Sequence, residues 1–173
     1  MAHKIMIFDN DGVFTDGGLY YIGKDESLRK FNAKDGLGVK LLQQVDIIPA
    51  IVTGKTTTAL KSRAKDLQIK HLYQGIKNKL KTVERILNEL GIKYSETVYM
   101  GDDFNDLPVL QKANISICLP DSPDKLKNIC SYVTSAKGGE GAVREAIEFV
   151  LKKNELYETA VEKLLNYLNN KNV

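Results

Sequence analysis

Short apolar runs that end in acids, hydroxyls or glycines are the feature that most restricts the fold of this chain. The runs occupy residues 5–8, 47–52, 71–73, 97–100 and 115–119. Each is too short for a buried helix and is typical of a strand that is buried on both faces of a parallel sheet. Amphipathic helical patterns separate the runs, so the sequence predicts an α/β fold.

The helical patterns complete the predicted architecture, which is a Rossmann-like parallel sheet with helices on both faces. A sixth strand is expected at residues 132–134, and Asp35 is the expected cap of the first helix. Pro108 is expected to break or kink the fourth helix near its start. The predicted helices cover residues 39–42, 56–67, 78–90, 104–112, 122–128 and 142–153.

Two segments lie outside the alternating pattern. In residues 19–31, apolar stretches flank a polar turn that contains a glycine, which predicts a β-hairpin inserted after the first strand. Residues 154–173 carry an additional helical pattern, whose apolar stripe would pack on the domain surface or on a neighbouring subunit. We therefore divide the chain into a domain at residues 1–153, which includes the hairpin, and a C-terminal helical extension at residues 154–173.

Composition excludes several classes of protein. The formal net charge is only +3, and no basic run is interleaved with aromatic residues, so a nucleic-acid partner is not expected. No apolar stretch approaches the length of a membrane span, and nothing resembles a signal peptide. Cys118 and Cys130 are expected to be reduced thiols. A cytoplasmic enzyme fits all of these features.

Polar residues suited to catalysis follow four of the predicted strands. They are Asp9 and Asp11 after the first strand, Thr53 after the second, Lys79 after the third, and Asp102, Asp103 and Asp106 after the fourth. The carboxyl ends of parallel strands share one edge of the sheet, where open α/β folds bind their ligands. The sequence therefore predicts that these residues converge.

The convergent residues suit phosphoryl transfer. Neighbouring carboxylates repel unless a cation or a proton lies between them, and Mg²⁺ held by Asp9 and Asp102 would prefer such oxygens together with a phosphate. Asp9 would attack the phosphoryl group and form an aspartyl-phosphate. Asp11 would protonate the leaving alkoxide and then deprotonate the water that hydrolyses the intermediate. Lys79 and Thr53 would bind the remaining phosphoryl oxygens.

Four sequence motifs resemble the signature motifs of the haloacid dehalogenase superfamily of phosphatases. They are Asp9-Asn10-Asp11-Gly12-Val13, Thr53, Lys79 and Gly101-Asp102-Asp103-x-x-Asp106. Further stretches at residues 31–36, 71–75 and 138–145 are similar to the family of 3-deoxy-D-manno-octulosonate 8-phosphate (KDO 8-phosphate) phosphatases. This resemblance implies a capless, Mg²⁺-dependent phosphatase. It also implies a homotetramer that is joined through the hairpin, in which a neighbouring subunit covers each active site.

The resemblance also implies a set of ligands. The carboxylates of Asp9 and Asp102 and the main-chain carbonyl of Asp11 would bind Mg²⁺, with waters or phosphate completing the octahedron. Asp103 and Asp106 would hold these ligands and Lys79 in place.

The residues expected to bind the substrate are Thr53, Gly54, Lys55, Arg63 and Asn10. Lys55 stands where KDO 8-phosphate phosphatases usually have arginine, and a cation there suits the carboxylate of a sugar acid. Arg63 is expected to project into an adjoining site. The Asn10 side chain is expected to point away from the phosphate. The glycine-rich loop at residues 138–141 is predicted to be flexible enough to close over a sugar.

Other functions remain open at this point. The nearest alternative is a phosphatase of a nine-carbon sugar-acid 9-phosphate. A non-catalytic oligomerisation module of the same fold would be expected to have lost Asp9, Asp11 or Lys79. A phosphorylation-switch receiver domain would place its threonine and lysine after its last acidic residue, and a sugar phosphomutase would need a cap domain.

Overall fold

A parallel sheet of six strands forms the centre of the molecule. The computed structural model describes residues 3–22 and 27–170. The strands of the chain are β1 (Ile5–Phe8), β2 (Tyr20–Tyr21), β3 (Ser27–Leu28), β4 (Ile48–Val52), β5 (His71–Tyr73), β6 (Thr97–Met100), β7 (Ile115–Cys118) and β8 (Tyr132–Val133). The order across the parallel sheet is β5-β4-β1-β6-β7-β8. Because the chain adds strands first on one side of β1 and then on the other, the strand order reverses beside β1.

Helices cover both faces of this sheet. They are α1 (Ala33–Gln44), α2 (Thr58–Asp66), α3 (Lys79–Leu90), α4 (Leu107–Leu110), α5 (Asp124–Lys127), α6 (Ala142–Lys153) and α7 (Tyr157–Asn170). One apolar core joins one face to α1, α2, α6 and α7, and a second joins the other face to α3, α4 and α5. The predicted Rossmann-like α/β fold is confirmed. Within residues 3–22 and 27–170, no helix is both long and apolar enough to span a membrane.

The composition of β1 follows from its central position. Met6 and Phe8 belong to the core under α1 and α6, whereas Ile5 and Ile7 belong to the core under α3. All four side chains are fully buried. Successive side chains of a strand point to opposite faces, so a strand that is covered on both sides is apolar at every position.

The first helix is longer than predicted and has a different cap. Asn32 caps α1, because its side-chain oxygen accepts a hydrogen bond of 2.8 Å from the Lys34 amide. Asp35, which was predicted to be the cap, is fully buried in the first turn and accepts a hydrogen bond of 2.9 Å from the Arg144 amide. That prediction is wrong because Asp35 links α1 to α6 instead.

The fourth helix is shorter than predicted. It begins at Leu107, which places Pro108 in the first turn, where the missing amide hydrogen is not needed. The predicted helix is therefore broken near its start, just before Pro108, and α4 itself has no kink there. Residues 101–106 instead form the loop that carries the second group of acids.

The predicted hairpin is present as a separate two-stranded sheet. Tyr20 pairs with Leu28 and Tyr21 pairs with Ser27, in antiparallel register. The predicted turn at residues 23–26 lies outside the described residues. Tyr20, Tyr21, Ile22 and Leu28 are all more than half exposed, so the hairpin presents an apolar surface on this single chain.

Both ends of the described chain, α7 and His3, are held to the domain by specific contacts. Helix α7 lies against α1 and buries Ala160 and Leu164. His3 lies before β1, and its two ring nitrogens are 3.0 Å from Asn154 Oδ1 and 2.8 Å from Asn114 Oδ1. Asn114 directly precedes β7, so this contact lies at the amino end of the sheet, opposite the acid-bearing loops.

Candidate active site

A polar cleft of about 220 Å³ opens at the carboxyl edge of the central strands. It lies beside β1, where the strand order reverses, as is usual for ligand sites in open α/β sheets. The structure therefore brings most of the predicted site residues together. The lining residues are Asp9, Asp11, Thr53, Gly54, Lys55, Asp102, Asp103 and Asn105.

Asp9 is held at the floor of this cleft directly after β1. Its amide donates a hydrogen bond of 2.9 Å to the Met100 carbonyl, which extends the pairing between β1 and β6. Its Oδ2 atom lies 3.0 Å from Lys79 Nζ. Its Oδ1 atom is buried and has no hydrogen-bond partner among the described residues. A buried carboxylate oxygen without a partner is costly, which points to a ligand that completes it.

Asp106 is a buried carboxylate that contacts Lys79 and the backbone amides of Asp102 and Asp103. Its Oδ1 atom lies 2.7 Å from Lys79 Nζ and accepts a 2.5 Å hydrogen bond from the Tyr99 hydroxyl. Its Oδ2 atom accepts hydrogen bonds from the amides of Asp102 and Asp103, at 3.2 and 3.4 Å. Both oxygens of Asp106 are thus occupied by protein donors, and the carboxylate fixes the position of Lys79 and of the Asp102 backbone.

Three carboxylates are close enough to share a cation. Oxygen atoms of Asp9, Asp102 and Asp106 lie within 4.8 Å of one another. Because protein donors already occupy Asp106, Asp9 and Asp102 are the better candidates for ligands. The Asp103 side chain accepts a 2.7 Å hydrogen bond from the Phe104 amide. Only its amide contacts Asp106, so the predicted support of Lys79 comes from Asp106.

The crowding of these groups changes their protonation. Burial raises the pKa of Asp9 to about 6, and the nearby charge of Asp106 acts in the same direction. Burial, followed by the charges of Asp9 and Asp106, raises the pKa of Asp102 to about 8. Burial disfavours the Lys79 cation, but the carboxylates of Asp106 and Asp9 outweigh it and raise the pKa of Lys79. Three carboxyl groups thus share one lysine, and a bound cation would favour the ionised forms of Asp9 and Asp102 against the effect of burial.

Glycines allow the loops around the cluster to approach closely. Gly12 has a φ of +86°, and a Cβ atom there would overlap the Asp102 carboxylate. Gly138 and Gly139 are buried, and a Cβ atom at Gly138 would overlap the Gly12 carbonyl. These two glycines are thus packed against the loop that carries the acids. That the loop at residues 138–141 closes over a sugar stays a prediction.

Two predicted substrate residues lie outside the cleft. Arg63 donates a hydrogen bond of 2.9 Å to the Asn32 carbonyl, and its guanidinium lies 5.9 Å from the centre of the Phe31 ring. Asn10 is buried, and its Nδ2 atom donates to Asp11 Oδ1 at 3.2 Å. In this chain, Asn10 therefore orients Asp11, and Arg63 packs against the residues that precede α1.

Three residues of the site were not predicted from the sequence. Tyr99 reaches Asp106 from inside β6, where an apolar run gives no signal for a polar role. Arg29 Nε lies 2.7 Å from Asp11 Oδ1 although eighteen residues separate them. Asn105 lines the cleft, and its place within the acidic loop is the only sequence signal that could have identified it.

The fold and this arrangement of acids define the class of protein, and comparison with known proteins agrees. A family model described as haloacid dehalogenase-like hydrolase matches residues 72–147. The 3-deoxy-D-manno-octulosonate 8-phosphate phosphatase of Yersinia pestis is 38% identical over 157 residues, which cover 91% of this chain and 84% of that protein. The corresponding protein of Haemophilus influenzae is 36% identical over 160 residues, covering 91% and 89%.

A solved structure extends the likeness to three dimensions. The Moraxella catarrhalis 3-deoxy-D-manno-octulosonate 8-phosphate phosphatase, in complex with magnesium, phosphate and KDO, superposes with a TM-score of 0.89 at 34% identity. The match covers 92% of each chain. The present chain thus belongs to the haloacid dehalogenase-like hydrolases and, within them, to the family of KDO 8-phosphate phosphatases.

Proposed function

We propose that this chain is a Mg²⁺-dependent phosphatase that hydrolyses KDO 8-phosphate to KDO and phosphate. The observation that carries the proposal is the cluster of Asp9, Lys79, Asp102 and Asp106, in which Asp9 Oδ1 is buried without a partner. Relatives of this chain at 38% and 36% identity are KDO 8-phosphate phosphatases, which supports the choice of substrate.

The proposed reaction has two steps, in which the phosphoryl group is transferred first to Asp9 and then to water, and each residue has a separate role. Asp9 attacks phosphorus and forms an aspartyl-phosphate, while the bond to the sugar oxygen breaks. Asp11 gives a proton to that oxygen and later takes one from the water that releases phosphate. Lys79 has three N–H donors, of which Asp9 and Asp106 use two, so the third is available to a phosphoryl oxygen beside Asp9.

The donor set suits Mg²⁺. The Asp9 and Asp102 carboxylates, with the main-chain carbonyl of Asp11, would hold the ion, and the free Asp9 Oδ1 fits this role. When bound, the ion would neutralise negative charge on the phosphoryl group and keep Asp9 ionised against the pKa-raising effect of burial. Asp106 would hold Lys79 and the Asp102 backbone in place from beneath.

Recognition of the sugar acid would depend on groups around the phosphate site. Thr53, Gly54 and Lys55 line the cleft, and Lys55 is exposed. If the Lys55 cation binds the carboxylate of the sugar acid, Lys55→Glu should lower kcat/KM for KDO 8-phosphate much more than for a neutral aryl phosphate. An equal loss on both substrates would contradict this role.

Arg63 would contribute only from a neighbouring subunit, because within this chain it lies outside the cleft.

The decisive assay is phosphate release from a panel of eight-carbon and nine-carbon sugar-acid phosphates, with and without Mg²⁺. Selective, Mg²⁺-dependent hydrolysis of KDO 8-phosphate would support the proposal. Preference for a nine-carbon sugar-acid 9-phosphate would favour the nearest alternative, and no hydrolysis of any ester would favour a non-catalytic module. Full activity in excess chelator would contradict the metal requirement.

We further propose a homotetrameric, cytoplasmic enzyme with one catalytic domain at residues 1–153 and a helical extension at residues 154–173. The exposed apolar side chains of the hairpin support self-association, because such a surface is unfavourable in water. Sizing with light scattering would measure the oligomeric state, and cell fractionation would test the compartment.

A further inference from the structure

A buried arginine of the hairpin contacts the residue proposed as the acid and base. Arg29 Nε lies 2.7 Å from Asp11 Oδ1, and the Arg29 side chain is only 1% exposed. Its Nη1 atom donates to Ser27 Oγ at 2.7 Å and to the Leu28 carbonyl at 3.1 Å. The guanidinium is therefore held by its own hairpin strand while it binds the catalytic loop. A buried ion pair of this geometry has a defined orientation.

The ion pair leaves one particular oxygen of Asp11 available for chemistry. Oδ1 receives hydrogen bonds from Arg29 Nε and from Asn10 Nδ2, at 2.7 and 3.2 Å. Oδ2 accepts no hydrogen bond from the described residues, and Asp11 is 22% exposed at the cleft. Proton transfer requires a donor atom within hydrogen-bond reach of the leaving oxygen. Fixing one oxygen of a carboxylate presents the other in a single direction.

The backbone that carries Arg29 is tied to the same loop. Phe31 forms an isolated antiparallel bridge with Thr15. Thr15 Oγ1 in turn accepts hydrogen bonds of 3.3 Å from the amides of Gly12 and Gly17. The base of the hairpin and the loop after Asp11 are thus one connected unit. A change in the hairpin can therefore reach Asp11 through Arg29.

We propose that Arg29 is a positioning residue that orients Asp11 so that Oδ2 delivers its proton to the leaving oxygen of the substrate. This inference rests on the proposed phosphatase function and adds a role for the hairpin. Arg29 does not line the cleft, so it acts on the reaction through Asp11 and not by contact with the substrate.

The test compares two leaving groups. Release of the sugar alkoxide needs a proton, whereas 4-nitrophenolate leaves readily without one. Since kcat/KM reports the steps up to release of this group, Arg29→Gln should lower kcat/KM for the sugar-acid phosphate by roughly 10-fold or more, part of the 10²–10⁴-fold supplied by acid–base catalysis. For 4-nitrophenyl phosphate the loss should be much smaller. Lys34→Gln removes a positive charge from an exposed side chain nearby that forms no ion pair among the described residues, and it should change kcat/KM for neither substrate.

A double-mutant cycle separates this role from a general structural one. In an Asp11→Asn background, Arg29→Gln should cause no further loss, because the group that it positions can no longer transfer a proton. Equal losses on both substrates, or an unchanged loss in the Asp11→Asn background, would overturn the inference. Arg29→Lys, which keeps the charge but not the Nε donor, should recover part of the activity and serves if Arg29→Gln does not fold. A wild-type protein inactive on every ester would refute the proposed function itself.

Discussion

At the scale of single residues, Asp9 is subject to two opposing demands. The proposed nucleophile must be ionised, yet burial and the charge of Asp106 raise its pKa to about 6. Lys79 partly relieves this conflict through its 3.0 Å contact with Oδ2. The Asp9 Oδ1 atom still lacks a hydrogen-bond partner among the described residues, and burying it in the ionised form is unfavourable. A cation bound to Oδ1 would therefore stabilise the ionised form of Asp9.

Asp9→Asn should abolish turnover, because an amide oxygen cannot form the acyl-phosphate intermediate. The fold should persist, since asparagine has the same shape and Lys79 keeps its 2.7 Å contact with Asp106. Phosphate release and a thermal unfolding curve would measure both effects. Asp124→Asn, at a side chain that is 90% exposed on α5, is the matched control and should keep full activity. Wild-type-like activity of Asp9→Asn would contradict the covalent mechanism.

The raised pKa values predict how the stability of the metal-free protein depends on pH. Asp9 at about 6 and Asp102 at about 8 keep protons in the folded state that the unfolded chain loses near 3.8. The folded state binds more protons in this interval, so its stability falls as pH rises from about 4 to about 8. Buried Asp35, with a pKa raised to about 6, acts in the same direction.

Thermal unfolding in excess chelator at pH 5 and pH 8 would measure this dependence. The midpoint of thermal unfolding should be lower at pH 8 than at pH 5. Asp102→Asn should reduce this difference, because it removes the carboxyl group with the higher pKa. Added Mg²⁺ should stabilise the wild type more at pH 8 than at pH 5, since it competes with protons for the same oxygens. A midpoint that rises with pH in chelator would contradict the prediction.

The acids could be placed from the sequence, but several of their contacts could not. Asp9 and Asp102 follow apolar strands, and the shared carboxyl edge of parallel strands brings them together whatever the details of packing. Arg29 reaches Asp11 where the Phe31–Thr15 bridge brings the base of the hairpin beside the loop. Such a contact depends on tertiary geometry and leaves no local pattern.

At the scale of elements, the strands were easier to predict than the loops between them. Strands β1, β5 and β6 begin and end at the predicted residues, because a turn signal closes each short run. Strands β1 and β6 are fully buried, and β5, at the edge of the sheet, is half-buried. Helix α1 begins earlier than predicted, since its cap is Asn32 and two glycines in its first half weaken the helical pattern. The loop at residues 138–141 resembles a flexible segment in sequence, yet Gly138 and Gly139 also permit close packing against the loop that carries the acids.

Helix α7 offers a test of how the C-terminal extension contributes to stability. Leu164 is 5% exposed, whereas its neighbour Leu165 is 55% exposed. Leu164→Ala should lower the free energy of unfolding by about 2–5 kcal/mol, because it leaves a cavity in the core shared with α1. Leu165→Ala should change it by only about 0.5 kcal/mol or less. Denaturant unfolding of both variants would measure these two losses of free energy. If the two losses were equal, a partner would have to cover Leu165.

At the scale of the whole molecule, the hairpin is the part that exposes apolar side chains to solvent in a single chain. A two-stranded hairpin is marginal by itself, and Tyr21 is 70% exposed. Association through the hairpin would bury this surface. It would also stabilise the segment after β3 that carries Arg29, so assembly and catalysis would be linked.

The variant Tyr21→Lys with Leu28→Lys should weaken self-association, because burying two lysines in an apolar interface is unfavourable. Sizing with light scattering at micromolar concentration should shift from tetramer towards smaller species. Leu165→Lys is a suitable control, since Leu165 and Leu28 are equally exposed at 55% but lie on different elements. A wild-type protein that is monomeric under the same conditions would contradict the assembly.

The contact of His3 with Asn114 and Asn154 has a practical consequence for handling the protein. It fixes the start of β1 at the edge of the sheet opposite the cleft. His3 therefore lies at the end of the sheet away from Asp9, and we expect an affinity tag or a surface linker attached ahead of it to be remote from the cleft. A protein immobilised in this way should keep its cleft open to the solution and retain the turnover rate of the free enzyme.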